Sequence, residues 1–205
     1  MNVQFQAKGS RGEIWLYDAI GSNFFGDGIT AKTFQKELAG LGKVGTINLH
    51  INSPGGDVFD GFAIYNQLAQ HPARIEVDVD GVAASIASII AMAGDEIRVA
   101  KNASIMIHNP RGFAAGEESE MQRVAALLRT IKGNLVDTYR DRTGNPADKI
   151  ASWMDDETWF TAEAALENGF ATSVTRETTV TACFDLFSEF KRVPEAVKRR
   201  IAATA

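Results

Sequence analysis

An α/β domain built on a largely parallel sheet is the architecture that this 205-residue sequence predicts. Short β-branched and aromatic runs alternate with segments of helical periodicity along most of the chain. The composition, 45% hydrophobic and 23% charged, is enough for one ordinary soluble core. Three sharp breaks fall where strands should end: Pro54-Gly55-Gly56, Gly81 to Ser85, and His108-Asn109-Pro110. Sites in such sheets collect at the carboxyl ends of strands, so this coincidence is the first functional clue. Connections between parallel strands should be right-handed crossovers.

The first residues are polar and read as a frayed end. Glu13 to Tyr17 is short and aromatic-rich, which predicts a strand. Gly21 to Gly28 reads as a loop carrying Phe24 and Phe25. Thr30 can cap a helix to about Ala39, with Phe34 and Leu38 on one face. Val44 to Ile51 predicts a strand, broken by Asn52-Ser53-Pro54-Gly55-Gly56. Asp57 can cap the helix that follows, which stops near His71-Pro72. Ile75 to Val79 alternates as a strand with one wetter face. Gly81 to Ser85 then opens an apolar helix to Ala93, which its composition buries. Ile97 to Val99 and Ser104 to Ile107 predict two more strands. Gly112 to Gly116 is a flexible loop before a long helix from about Glu117 to Arg140. Met121, Val124, Leu127, Leu128, Ile131, Leu135 and Tyr139 give that helix one apolar stripe. Asn145-Pro146 starts a short helix, Asp155 to Phe160 is an acidic turn into an aromatic pair, and Thr161 begins another helix. From Thr175 the character changes to a Thr-rich stretch, then Phe184, Leu186, Phe187 and Phe190, then a basic tail. The chain therefore divides into a main domain over 1–174 and an appendage over 175–205 that could be a docking helix.

Charge and composition remove several functions. Lys plus Arg total 21 against 26 Asp plus Glu, a net charge of -5, which disfavours nucleic acid or anionic membrane as the main partner. One cysteine, Cys183, rules out an intrachain disulfide and a cysteine-rich zinc site. The N-terminus shows no signal peptide, and the longest apolar stretch, Val82 to Ala93, is too short to span a bilayer. A cytoplasmic protein is the expectation.

Ser85 is the sharpest candidate nucleophile. A serine hydroxyl needs a base within reach and donors for the developing oxyanion. At the first turn of a buried helix it can project into a pocket beside a free amide. A small residue chosen for close packing explains the same position, and packing is the better reading of Ser88. His108 closes a strand and is the natural base, although a lone histidine is more often structural. Gly55-Gly56 could offer an uncrowded amide to an anion or could simply turn the chain. The spacings of both nucleotide-binding glycine motifs are missing, as are Gly-x-Ser-x-Gly and His-Glu-x-x-His. Asp155, Asp156 and Glu157 could orient a histidine or form a solvated helix entrance.

With these residues in hand, the sequence resembles the Clp serine protease family, especially phage and prophage members linked to head maturation. The resemblance rests on Ile51-Asn52-Ser53-Pro54-Gly55-Gly56, Gly81-Val82-Ala83-Ala84-Ser85, Met106-Ile107-His108-Asn109-Pro110, and Thr161-Ala162-Glu163-Ala164-Ala165 leading to Gly169. The four segments occur in the family's order and cover about Glu13 to Val174. The resemblance implies a crotonase-like ββα superhelix with a long handle helix, which the residue pattern alone does not separate from other α/β folds. It implies a serine endopeptidase acting through an acyl-enzyme, with Ser85 as nucleophile, His108 as base, and the amides of Gly56 and Ile86 as oxyanion hole. It implies a substrate groove at Gly55, Gly112 and Phe113, where an extended peptide adds as a strand. It requires no metal and no organic cofactor, and its partners are a peptide or protein substrate and copies of itself in one or two stacked rings.

Two departures stand out. Gapless matching from Thr161-Ala162 puts the family's catalytic aspartate at Glu157, with Asp156 in reserve. About a dozen residues precede Glu13, fewer than the family's axial segment that engages an ATP-driven unfoldase, so that partnership stays open. An enzyme that trims phage capsid or scaffold protein would not need it. The competing readings are an inactive ring-forming scaffold and, with less support, a crotonase-like acyl-CoA enzyme.

Overall fold

The computed structural model describes residues 3–23, 26–177, 190–195, 197 and 198. Phe24, Phe25, Cys183, Phe184, Leu186 and Phe187 lie outside the described residues. The chain opens with β1 (Val3–Lys8) and β2 (Arg11–Leu16), an antiparallel pair turned at Gly9 and Ser10. This corrects the frayed end expected from the polar composition. β1 gains a ladder along β2, and Phe5 packs edge-on to Phe34 with centroids 5.5 Å apart. Two-residue strands β3 (Ser22–Asn23) and β4 (Gly26–Asp27) form a small separate pair.

α1 (Ala31–Gly40) is capped by the Thr30 hydroxyl, which accepts from the Thr33 amide. β5 (Thr46–Ser53), α2 (Val58–Ala69) and β6 (Arg74–Ala84) follow, with the Asp57 carboxylate capping α2. β6 is the backbone of the fold. Its first half pairs in parallel with β5 and with β7 (Glu96–Ala100). Its second half, Val82 to Ala84, leaves β7, shifts register against β5 with Ser53 opposite Ala83, and pairs in parallel with β8 (Ser104–Ile107). β8 in turn pairs antiparallel with β9 (Thr158–Thr161).

The helix expected from Gly81 therefore begins later, as α3 (Ile86–Ala91). Gly81 to Ala84 stay extended because β8 supplies a ladder partner. Gly81 also makes room for a neighbour, since a Cβ there would stand 2.5 Å from Asn52 Oδ1. β10 (Ser173–Thr175) closes the main sheet beside β7, giving the order β1-β2-β5-β6-β7-β10. The pairing is mostly parallel, so the sheet is mixed with a parallel centre.

Strand alternation sorts the two faces. Ile14, Leu16, Ile47, Leu49, Ile51, Val77, Val79, Ile97 and Val99 are buried in the core with the helices. Each such side chain contributes about 1.5–3 kcal/mol by leaving water. The opposite face is ionic. Arg98 grips Asp78 through Nε at 2.6 Å and Nη2 at 2.9 Å, and reaches Glu76 and Asn48. His50 bonds Asp80 through Nδ1 at 2.8 Å, lies near Glu13, and stacks on Trp15. Burial opposes its proton, but the Asp80 bond and the Asp78 and Glu13 charges outweigh that and hold His50 above the usual histidine range.

The long helix α4 (Glu118–Thr143) starts on a Glu117–Glu120 capping box and ends at left-handed Gly144. Its C-terminal half buries Ile131, Leu135, Val136 and Tyr139, whereas Met121 and Leu127 in its N-terminal half are exposed. α5 (Ala147–Asp155) leads into β9, and α6 (Ala162–Glu167) is capped by Thr161. Among the described residues no helix is long and apolar enough to cross a membrane.

Candidate active site

The register of β6 on β8 assembles the site. Ala84 lies opposite Met106, so the residues just beyond these two strand ends become neighbours. They are Ser85 and His108, and Ser85 Oγ is 2.7 Å from His108 Nε2. Ser85 sits between β6 and α3 at φ 55° and ψ -128°, a backbone state that L-residues other than glycine rarely adopt. Such a state costs about 1–3 kcal/mol and persists only when its surroundings over-determine it. Here the Ser85 amide donates to Met106 O at 2.9 Å. On the other side, Ser85 O accepts from the Ser88 amide at 3.0 Å and the Ser88 hydroxyl at 2.6 Å.

The glycine turn lies directly against this serine. A Cβ on Gly55 would stand 2.7 Å from both Ser85 Cβ and Ala84 O. Gly55 and Gly56 take φ of 91° and 148°. The turn is pinned by Ile20, whose amide donates to Gly55 O while its carbonyl accepts from the Asp57 amide, both at 2.9 Å. The Gly56 amide takes part in neither bond. Ile86 is the first residue of α3, where the helix offers its amide no partner. Gly112 runs along α4, near Leu128, and Phe113 is exposed on the loop before that helix.

His108 is held neutral. Burial, reinforced by the Arg111 charge and opposed by Glu157, pushes its pKa down to about 4. In the tautomer with its proton on Nδ1, the Nε2 lone pair faces the Ser85 hydroxyl.

Glu157 takes the left-handed conformation, φ 51°, at the end of α5 and is only 8% exposed. Its carboxylate accepts from Arg111 Nη2 at 3.2 Å and from the Arg192 amide at 2.7 Å. No hydrogen bond joins it to His108 among the described residues. Asp156 caps α5 with a side chain that is 59% exposed and bonds Arg192 Nη1 at 3.1 Å. Asp155 holds Asn109 and Lys132 instead. The segment at 156–157 is a turn between α5 and β9, as the acidic run into Trp159-Phe160 suggested.

A family model for the Clp protease matches residues 26–178. The chain belongs to the Clp protease family. It is similar to an ATP-dependent Clp protease proteolytic subunit of Bacteroides fragilis, 33% identical over 153 residues, covering 72% of this chain and 74% of that protein. Proteolytic subunit 1 of Leifsonia xyli is 34% identical over 126 residues, covering 60% and 64% of the two chains. Subunit 2 of Thermobifida fusca is 34% identical over 134 residues, covering 64% and 66%. As a Clp-type protein the chain is a serine-type endopeptidase.

The Clp match ends before Phe190, yet that residue reaches the site. The Phe190 ring stands edge-on to His108 at 5.6 Å and to Trp159 at 5.9 Å, with the Arg111 guanidinium 5.3 Å from its centre. Val193 is buried on Val82, Ala84 and Met106. Sequence reading placed an appendage here without a target, since nothing local ties Phe190 to a histidine 82 positions earlier. Arg111 was also missed, although it follows His108-Asn109-Pro110 directly. Ser88, read as packing, is buried as expected but also hydrogen-bonds the Ser85 carbonyl.

Proposed function

We propose that this Clp-family endopeptidase cleaves peptides through an acyl-enzyme on Ser85. His108 Nε2 takes the hydroxyl proton as Ser85 Oγ attacks the scissile carbonyl. The Gly56 and Ile86 amides donate to the tetrahedral oxyanion. His108 then protonates the leaving amine, and water repeats the sequence in reverse to release the acid. Glu157 orients His108 and steadies its imidazolium, Asp156 being the reserve. Gly55, Gly112 and Phe113 border the substrate groove of a crotonase-like superhelix. No metal or organic cofactor enters any step.

The observation that carries this reading is the 2.7 Å contact between Ser85 Oγ and His108 Nε2 at a strained strand-to-helix turn. A fluorophosphonate probe tests it: covalent labelling at Ser85 is expected, and a folded protein that never labels refutes it.

The assembly is one or two stacked rings, with the N-terminal half of α4 as the contact between rings. Exposed Met121 and Leu127 on that half support it. Light scattering at micromolar concentration should give a multimer; a clean monomer rules the ring out, and a single ring removes the stacked arrangement. The substrates we favour are phage capsid or scaffold proteins in a bacterial cytoplasm. The relatives are described as ATP-dependent, and the same coupling here would show as degradation of a folded substrate only with an ATP-driven unfoldase.

A further inference from the structure

We propose that the buried hydroxyl pair Ser88–Tyr139 aims the oxyanion donor, an inference that rests on Ser85 being the nucleophile. Ser88 Oγ has one proton, and at 2.6 Å it goes to Ser85 O. Tyr139 OH, 2.8 Å away, must then donate to Ser88 Oγ, so the pair is a directed relay from α4 to the nucleophile. Both residues are buried, and burial lifts the Tyr139 phenol far above its usual range, so it stays a donor. Ser85 C=O and Ile86 N–H belong to one planar peptide unit. Gripping the oxygen therefore fixes where the Ile86 N–H points, in the opposite direction within that plane. Ser88 and Tyr139 are positioning residues that act through this single peptide group.

The test compares Ser88→Ala and Tyr139→Phe with the parent, after fluorophosphonate labelling of the parent has checked Ser85 itself. A donor that matters only in the transition state changes kcat and leaves KM. Each variant should lose about tenfold in kcat with KM unchanged, and affinity for a peptide boronate should fall by the same factor. Ser88→Thr, which keeps the hydroxyl, should recover most of the loss. Should Ser88→Ala fail to fold, Ser88→Ala/Tyr139→Phe leaves no unpaired side-chain hydroxyl and gives the same readout. Parent kcat and parent boronate affinity in any folded variant overturn the proposal, even where the melting temperature drops.

A separate observation carries a second inference. Both carboxylate oxygens of Glu157 are engaged away from His108, Oε2 by Arg111 and Oε1 by the Arg192 amide. The Arg192 side chain also holds Asp156, Phe190 packs on His108, and Val193 is buried under β6 and β8. We infer that Phe190–Val193 is a peptide ligand of its own active site that withholds the acid from the base. This rests on Glu157 serving His108. Two full-length variants test it: Phe190→Ala removes the ring contact, and Arg192→Pro deletes the amide that Glu157 accepts from. Each should raise turnover of a short peptide about fivefold or more, the gain expected when an occupied site opens. The acid limb of the kcat/KM profile, set by a His108 pKa of about 4, should also move upward, because a freed Glu157 on Nδ1 favours the imidazolium. Unchanged or lower turnover in both variants overturns the inference. Glu157→Gln added to Phe190→Ala separates the two ideas: if the double variant keeps the turnover of Phe190→Ala the role of Glu157 fails, whereas an impaired double variant with no gain from Phe190→Ala or Arg192→Pro alone refutes the self-docking.

Discussion

Ser85→Ala should abolish peptide hydrolysis while leaving the fold and the proposed assembly intact. Loss of a nucleophile that works with a base lowers kcat by about a millionfold, since no other group can form the covalent intermediate. Among the described residues the side chain of Ser85 has one hydrogen-bond partner, His108 Nε2, and alanine keeps the same Cβ at the same positive φ. The backbone bonds to Met106 O and from Ser88 remain, so stability should change by less than about 1 kcal/mol. Turnover of a fluorogenic peptide, a thermal melt and light scattering on the variant together check this. Residual turnover near the parent rate, or loss of the multimer, would refute the assignment.

Glu157→Gln should have the second largest effect. Replacing a triad acid by its amide loses the correct histidine tautomer and costs about 10⁴ in kcat. A loss of about 10²–10⁴ is expected here, the lower end applying because Arg111 and Arg192 already divide the carboxylate. Asp156→Asn should leave turnover within about twofold, because that carboxylate is exposed and faces Arg192 at the surface. The reverse ranking moves the acid to Asp156. Full activity in both variants means that another carboxylate serves or that Ser85 and His108 work as a pair. Rates should be compared on the assembled enzyme and at several pH values, so that a change in His108 protonation is not mistaken for lost chemistry.

His108 was legible in the sequence because it closes a short apolar run just before Asn109-Pro110, and Ser85 because a glycine and small residues place it at the head of an apolar helix. The helix caps at Thr30, Asp57 and Thr161 were legible for the same reason: a cap is read within four residues. What stayed hidden depends on partners far along the chain. Gly81 to Ala84 has the composition of a buried helix and is extended because β8 and the end of β5 lie beside it. β1 looks too polar to be ordered until β2 and Phe34 are there to receive it. The surroundings of Glu157 could not be read locally at all, since one of its partners is 35 residues away and the other 46. The ionic face of the sheet was visible only as alternation, not as the Arg98 and His50 networks it carries.

β6 runs from the centre of the main sheet straight into the serine turn, and this sets the order in which heat should silence the enzyme. Backbone amides in a central ladder open only with the whole domain, whereas amides held by a peripheral contact exchange in small local openings. The Ser85 amide, bonded to Met106 O, belongs to the first kind, and the Arg192 amide on Glu157 to the second. In deuterium exchange Ser85 should therefore be among the slowest residues to label and Arg192 among the faster ones. On warming, the partners of Glu157 would rearrange well below the melting point while the nucleophile stays aligned. Temperature would then act first as a dial on catalytic rate and only later as a threat to the fold.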